Sequence, residues 1–195
     1  MRTWRLAAGL AVALAALATA APAQELSLAV SAGGFASSEE AYRDIYGSGL
    51  VLAADVLFKL KGPFGIATGF SRSADEGVAV PLDDGGEEYP LEFTRTTVPL
   101  LVFYQFDLKR IDIRLGAGLG FHSYKESWPT AGLSFEGKKT TPRFALDVGL
   151  EVLRRVSVFG SARYSSVRTG AGSPLVIDAD VGGIEIMAGL AFRIF

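Results

Sequence analysis

The only histidine of the chain is His122. An imidazole can take a proton from a serine and so drive acyl transfer, provided a serine and an orienting acid lie within hydrogen-bond reach. The residue two positions on, which would share its face in an extended chain, is Tyr124. Ser123 takes the opposite face, and Ser73 and Ser165 are the serines whose parity could bring them near. One of three placed groups is missing, so the reading is a histidine hydrogen-bonded into its surroundings. A lipid-modifying hydrolase centred on His122 is the alternative. The chain has no cysteine, no His/Cys spacing suited to a metal and no phosphate-binding glycine motif, so neither a metal nor a cofactor is expected.

The second set of reactive groups is ionic. Asp55, Lys59, Asp112, Arg114, Arg143, Asp147, Glu151, Arg163, Glu185 and Arg193 fall on one parity of successive alternating segments. Acids and bases are equal in number. Charges sharing a confined interior must be paired and hydrogen-bonded to be tolerated. The set therefore predicts an interlocked charge network, with an open conduit constricted by charge as the alternative.

The segments that must position these groups alternate throughout. In the last one, Ile184, Ile186, Ala188, Leu190, Phe192 and Ile194 share one face. Glu185, Met187, Gly189, Ala191 and Arg193 share the other. Such strands have one apolar and one polar face. Eight are read, near 25–34, 49–60, 64–73, 94–106, 110–125, 141–153, 156–167 and 181–195. Tight turns at Lys61-Gly62-Pro63, Asp107-Leu108-Lys109 and Arg154-Arg155 alternate with long connections at 35–48, 74–93, 126–140 and 168–180. Short turns at one end and long loops at the other are the pattern of an outer-membrane barrel with both termini in the periplasm.

The apolar faces carry no charge through mid-strand. Leu50, Leu52, Ala54, Val56 and Phe58 form one stripe, and Phe144, Leu146, Val148, Leu150 and Val152 another. An Arg or Lys there would cost about 2–4 kcal/mol at the bilayer midplane. Aromatics sort by depth. Phe58, Phe64, Tyr104, Phe106 and Phe192 fall near the short turns; Phe70, Phe121, Phe144 and Tyr164 fall near the long loops. That is the arrangement of two interfacial girdles. The fold expected is all-β, an eight-stranded antiparallel transmembrane β-barrel. A soluble lipocalin-like binder is the rival that these lipid-facing stripes argue against.

Residues 1–23 read as a secretory signal peptide: Arg2 and Arg5, an apolar run from Leu6 to Thr19, then Ala21-Pro22-Ala23. Residues 24–195 would form the barrel domain. A net charge of -2 without a basic stripe gives no reason to expect nucleic acid.

Three further features stand out. Asp75, Glu76, Asp83, Asp84, Glu87 and Glu88 make the second long connection acidic, without the spacing of a calcium loop. Ser37-Ser38-Glu39-Glu40 resembles a capping box opening a short helix, whose Tyr42, Ile45 and Tyr46 would rest on the rim. Pro99 interrupts a strand that cannot use its missing N–H, predicting a bulge or a lateral opening beside the inward apolar residues Leu101 and Val51.

Tyr46-Gly47-Ser48-Gly49, Val98-Pro99-Leu100, Gly116-Ala117-Gly118-Leu119-Gly120-Phe121 and the terminal Phe195 together resemble the small OmpW/OmpX-type outer-membrane barrels of Gram-negative bacteria. The resemblance implies localisation in the cell outer membrane and insertion by the outer-membrane assembly machinery. It also implies a monomer surrounded by outer-membrane lipid and lipopolysaccharide. The role it implies is structural, interaction-based or passive passage of small, even hydrophobic, molecules. Phe195 is out of phase with Phe192 and Ile194, a departure from the terminal aromatic signal.

Overall fold

In the computed structural model, residues 25–79, 89–168 and 180–195 are described. The segment read as a signal peptide lies outside them. The strands are β1 (Glu25–Ser37), β2 (Gly49–Lys59), β3 (Phe64–Ala79), β4 (Tyr89–Leu108), β5 (Ile111–Trp128), β6 (Leu133–Leu153), β7 (Val156–Ser165) and β8 (Gly183–Arg193). A short helix, α1 (Glu40–Tyr46), lies between β1 and β2. Every strand pairs antiparallel with its sequence neighbours, and β8 closes on β1 to complete the barrel. Closure leaves no strand without a neighbour on each side, which is what a hydrocarbon environment requires.

Alternation then decides what faces lipid. Leu52, Leu100, Val102, Leu115, Phe144, Val148 and Ile186 all point outward and are about half exposed. A soluble protein does not leave so continuous an apolar band in water. The aromatics read as girdles point outward at both edges of this band; Phe64 meets Tyr104 edge-to-face at 5.1 Å. Above Phe70, Val98, Phe121 and Phe144 the outward positions turn polar, with Arg72, Thr96, Ser123 and Lys138.

Four strands run further outward than the alternation of apolar faces suggests. Positions 74–79 and 89–93 continue β3 and β4, and 126–128 and 133–140 continue β5 and β6. The β5–β6 connection is therefore a short turn, not a long loop. The acidic residues 83–88 lie outside the described residues, whereas Asp75 and Glu76 belong to β3. These extensions form because the polar and apolar faces exchange above the band. There Leu91, Phe93 and Tyr124 point inward and are buried, while Glu92, Thr94 and Lys125 point out toward water.

The helix α1 forms where the sequence suggests, but without the capping box. Its N-cap is Glu39, which makes no side-chain cap; Ser37 Oγ instead accepts the Glu39 N–H at 3.1 Å. Gly47 ends the helix at φ 65°, a left-handed conformation open to glycine. Tyr42 and Tyr46 do not rest on the rim. They enter the mouth and pack with Phe35 and Phe93, while Ile45 stays exposed.

Candidate functional site

The site is the barrel interior, and it is filled in layers. Outermost is the aromatic plug of Tyr42, Tyr46, Phe35, Phe93 and Tyr124, with Val51 and Met187 beneath. Tyr42 donates its hydroxyl to Asp75 Oδ2 at 2.6 Å. Glycine at position 49 makes this possible, since a Cβ there would lie 1.2 Å from Asp75 Oδ1. Glu126 accepts the Trp128 indole N–H at 2.7 Å and lies against Tyr46. Burial pushes both carboxyls above their ordinary range, against the opposing pull of these hydrogen bonds. Burial, reinforced by the neighbouring carboxyls, likewise holds both tyrosine hydroxyls protonated.

Below the plug, Glu185 of β8 joins two arginines. Arg95 Nη2 donates to Glu185 Oε1 at 3.0 Å, and Arg143 Nη2 donates to Oε2. The three residues are no more than 2% exposed. Arg95 also donates to the Val181 carbonyl at 3.1 Å and stacks on Phe35 at 3.8 Å. Arg95 is a member of the network that sequence reading missed. Its signal was present, for it shares the inward parity of Leu101 and Phe103.

A second tie lies deeper. Arg163 of β7 meets Asp55 of β2, Nη2 to Oδ2 at 2.6 Å, and its Nε donates to Ser161 Oγ at 3.1 Å. Next comes an apolar layer of Leu57, Phe103, Phe159, Ala29 and Ala191. At the periplasmic mouth, Arg114 pairs with Asp112 at 3.1 Å, and Arg193 pairs with Glu25 at 3.0 Å and Glu151 at 3.8 Å. Lys59 pairs with Asp107 at 2.7 Å rather than with another member of the predicted set. Asp147 makes no ion pair within the described residues, though Arg163 feels its charge.

His122 lies between two hydroxyls. Its Nδ1 is 2.9 Å from Thr97 Oγ1 and its Nε2 is 3.0 Å from Thr141 Oγ1. Neither Ser73 nor Ser165 reaches it: Ser165 Oγ accepts from Arg143 at 3.5 Å, and Ser73 Oγ is buried without a partner. A carboxylate orienter is absent from its hydrogen bonds among the described residues.

Pro99 interrupts the β3–β4 ladder without a bulge. Pairing holds at Thr68↔Leu100 and resumes at Ser71↔Thr97 in unchanged register, so Gly69 and Phe70 go unpaired opposite Val98 and Pro99. Thr68 Oγ1 closes part of the break by donating to the Pro99 carbonyl at 2.8 Å. The register shift associated with a bulge occurs elsewhere, between Glu151 and Leu153. Leu101 is buried inside as expected, but its cross-strand neighbour is Ala67; Val51 belongs to the outer cluster. A cavity of about 20 Å³ lies behind the break, lined by Pro99, Leu101, Ala67, Asp55 and Arg163 among others.

Closed strands, an outward apolar band and an ion-paired interior define an eight-stranded transmembrane β-barrel of the outer-membrane class. Solved structures agree on the fold. The chain superposes on the outer membrane protein OprG from Pseudomonas aeruginosa with a TM-score of 0.67 at 10% identity, covering 87% of this chain and 95% of that one. Neisserial surface protein A matches with a TM-score of 0.57 at 15% identity, over 86% and 96% of the two chains. Ail of Yersinia pestis, solved with the heparin analogue sucrose octasulfate, matches with a TM-score of 0.57 at 14% identity, over 87% and 97%. No protein-family profile and no curated protein sequence matches the chain.

Proposed function

We propose that this is a non-catalytic outer-membrane barrel whose lumen does not conduct, acting through its surfaces and its plugged mouth. The observation that carries the reading is the packing of the interior. Cross-lumen ion pairs alternate with two apolar clusters, and two cavities between them, among the described residues, measure only about 20 and 30 Å³. A volume of that order holds about one water molecule. His122 adds nothing catalytic to this reading, since both its ring nitrogens are engaged by threonines. The test is swelling of vesicles carrying the refolded protein in small sugars and amino acids. Swelling no faster than that of protein-free vesicles is expected; porin-like rates would overturn the reading.

The ladder break at Pro99 favours a second reading, lateral passage of small hydrophobic molecules between the interior and the bilayer. Its support is the unpaired stretch of β3 and β4, with a small cavity behind it to which Ala67, Pro99 and Leu101 contribute apolar walls. The resemblance to OmpW-type barrels, for which hydrophobic passage has been proposed, agrees with it. Uptake of small hydrophobic compounds by cells producing a Pro99→Val variant separates the two readings.

A further inference from the structure

Each of the three short turns at the periplasmic end is basic. Lys61 stands between β2 and β3, Lys109 and Arg110 between β4 and β5, and Arg154 and Arg155 between β6 and β7. All five side chains are exposed. The carboxylates nearest to them are already engaged. Asp107 pairs with Lys59 at 2.7 Å, Asp112 with Arg114 at 3.1 Å, and Glu25 with Arg193 at 3.0 Å. None of the turn cations makes an ion pair among the described residues, so the end of the barrel carries a surplus of positive charge.

The height of these cations says what they meet. Each turn follows directly on lipid-facing residues: Phe58 and Phe64 flank Lys61, Leu108 and Ile111 flank Lys109-Arg110, and Leu153 and Val156 flank Arg154-Arg155. The first positions beyond an apolar band lie at the level of the lipid headgroups. Lys109 adds a second sign. It holds φ 59°, a left-handed conformation that suits glycine or asparagine better than lysine. A cation is kept where the backbone would favour another residue.

We propose that this basic ring binds the phosphates of anionic phospholipids in the inner leaflet of the outer membrane. The ring runs through three separate turns around one end, so several headgroups can be held at once. Lipid phosphate offers negative charge at the one depth where all these side chains sit. Guanidinium groups on the third turn can hold phosphate oxygens in two-pronged hydrogen bonds, and the lysines act as point charges. The ring would then fix how deep the barrel sits, complementing the aromatic girdle beside it.

The test uses residues 24–195 refolded in phosphatidylcholine vesicles with and without phosphatidylglycerol, extracted gently, with retained lipids counted by native mass spectrometry. The first variant is Lys109→Gln/Arg110→Gln/Arg154→Gln/Arg155→Gln. A milder one is Arg154→Gln/Arg155→Gln. The control is Lys138→Gln/Lys139→Gln at the outer end. Heat-dependent gel migration confirms that each is folded. Wild type and control should retain phosphatidylglycerol in preference to phosphatidylcholine. The preference should fall roughly fivefold for each cation removed, the value of one basic residue at an anionic surface. A wild type without preference overturns the proposal, as does a turn variant that matches wild type or a control that loses as much. Binding to isolated peptidoglycan that is lost in the turn variants, with lipid preference intact, would reassign the ring to a wall polymer.

Discussion

Arg95 and Glu185 reach each other across the full width of the barrel, Nη2 to Oε1 at 3.0 Å, from strands β4 and β8 on opposite walls. Arg143 on β6 joins the same carboxylate. Together with Arg163–Asp55, these ties make the interior a brace between walls that share no backbone hydrogen bond. Bracing is how a narrow barrel can exclude water while keeping paired charges on its inward parity.

The brace predicts a large contrast between faces. Arg163→Ala leaves Asp55 buried without its partner and should cost about 3–5 kcal/mol. Val148→Ala, on the lipid face, should cost under about 1 kcal/mol. Urea unfolding in lipid vesicles compares them, and similar losses would mean the faces are wrongly assigned.

The plug should loosen as pH rises. The folded values of Asp75 and Glu126 are raised by burial above their unfolded values near ~4. Their stabilisation of the plug is thus fully present below the ordinary carboxylate range and is lost as pH rises through the raised values. Asp75 faces Tyr42 and Arg95; Glu126 faces Trp128 and Tyr46. Once residues 1–23 are removed, Trp128 is the sole tryptophan, and its indole donates to Glu126. Its emission should shift red across that interval in wild type and change little in Glu126→Gln. An unchanged wild-type spectrum contradicts the account.

Removing the Tyr42 hydroxyl tests the same region independently of pH. Tyr42→Phe keeps the ring contacts but leaves Asp75 Oδ2 without its donor, a loss of about 1–3 kcal/mol. Hydrogen exchange along α1 should accelerate, while exchange in β7 and β8 stays as in wild type.

His122→Ala should leave any phospholipid hydrolysis at the level of empty vesicles, the same as wild type, because the ring is held between Thr97 and Thr141. Activity in wild type that disappears in the variant would restore the hydrolase reading.

What could be read from the chain follows from how parity works. Within the bilayer the outward face must be apolar, so Leu52, Leu100 and Val148 reveal both strand and face. Above the bilayer the requirement reverses. Phe93 and Tyr124 point in, Thr94 and Lys125 point out, and a reader following apolar residues as lipid-facing loses the strand. That is why Asp75 and Glu126 read as parts of loops, whereas Arg95 lies within the strand read near 94–106, on the inward parity of Leu101 and Phe103. Pro99 was legible as a break, but its form was not. Whether a proline makes a bulge or an unpaired gap depends on the partner strand, here Gly69 and Phe70 with Thr68 donating to the carbonyl.

Pro99→Val should restore a donor to the β3–β4 ladder. If hydrophobic compounds pass through the break, their uptake by cells producing the variant should fall. Uptake equal to wild type excludes the lateral route.

The central claim is a closed interior, and single-channel recording of the refolded barrel in a planar bilayer tests it most directly. A lumen braced by Arg95–Glu185–Arg143 and Arg163–Asp55 predicts a silent membrane, with no resolvable current steps at neutral pH. Steady ohmic steps from the wild-type protein, reproducible across insertions, would contradict it.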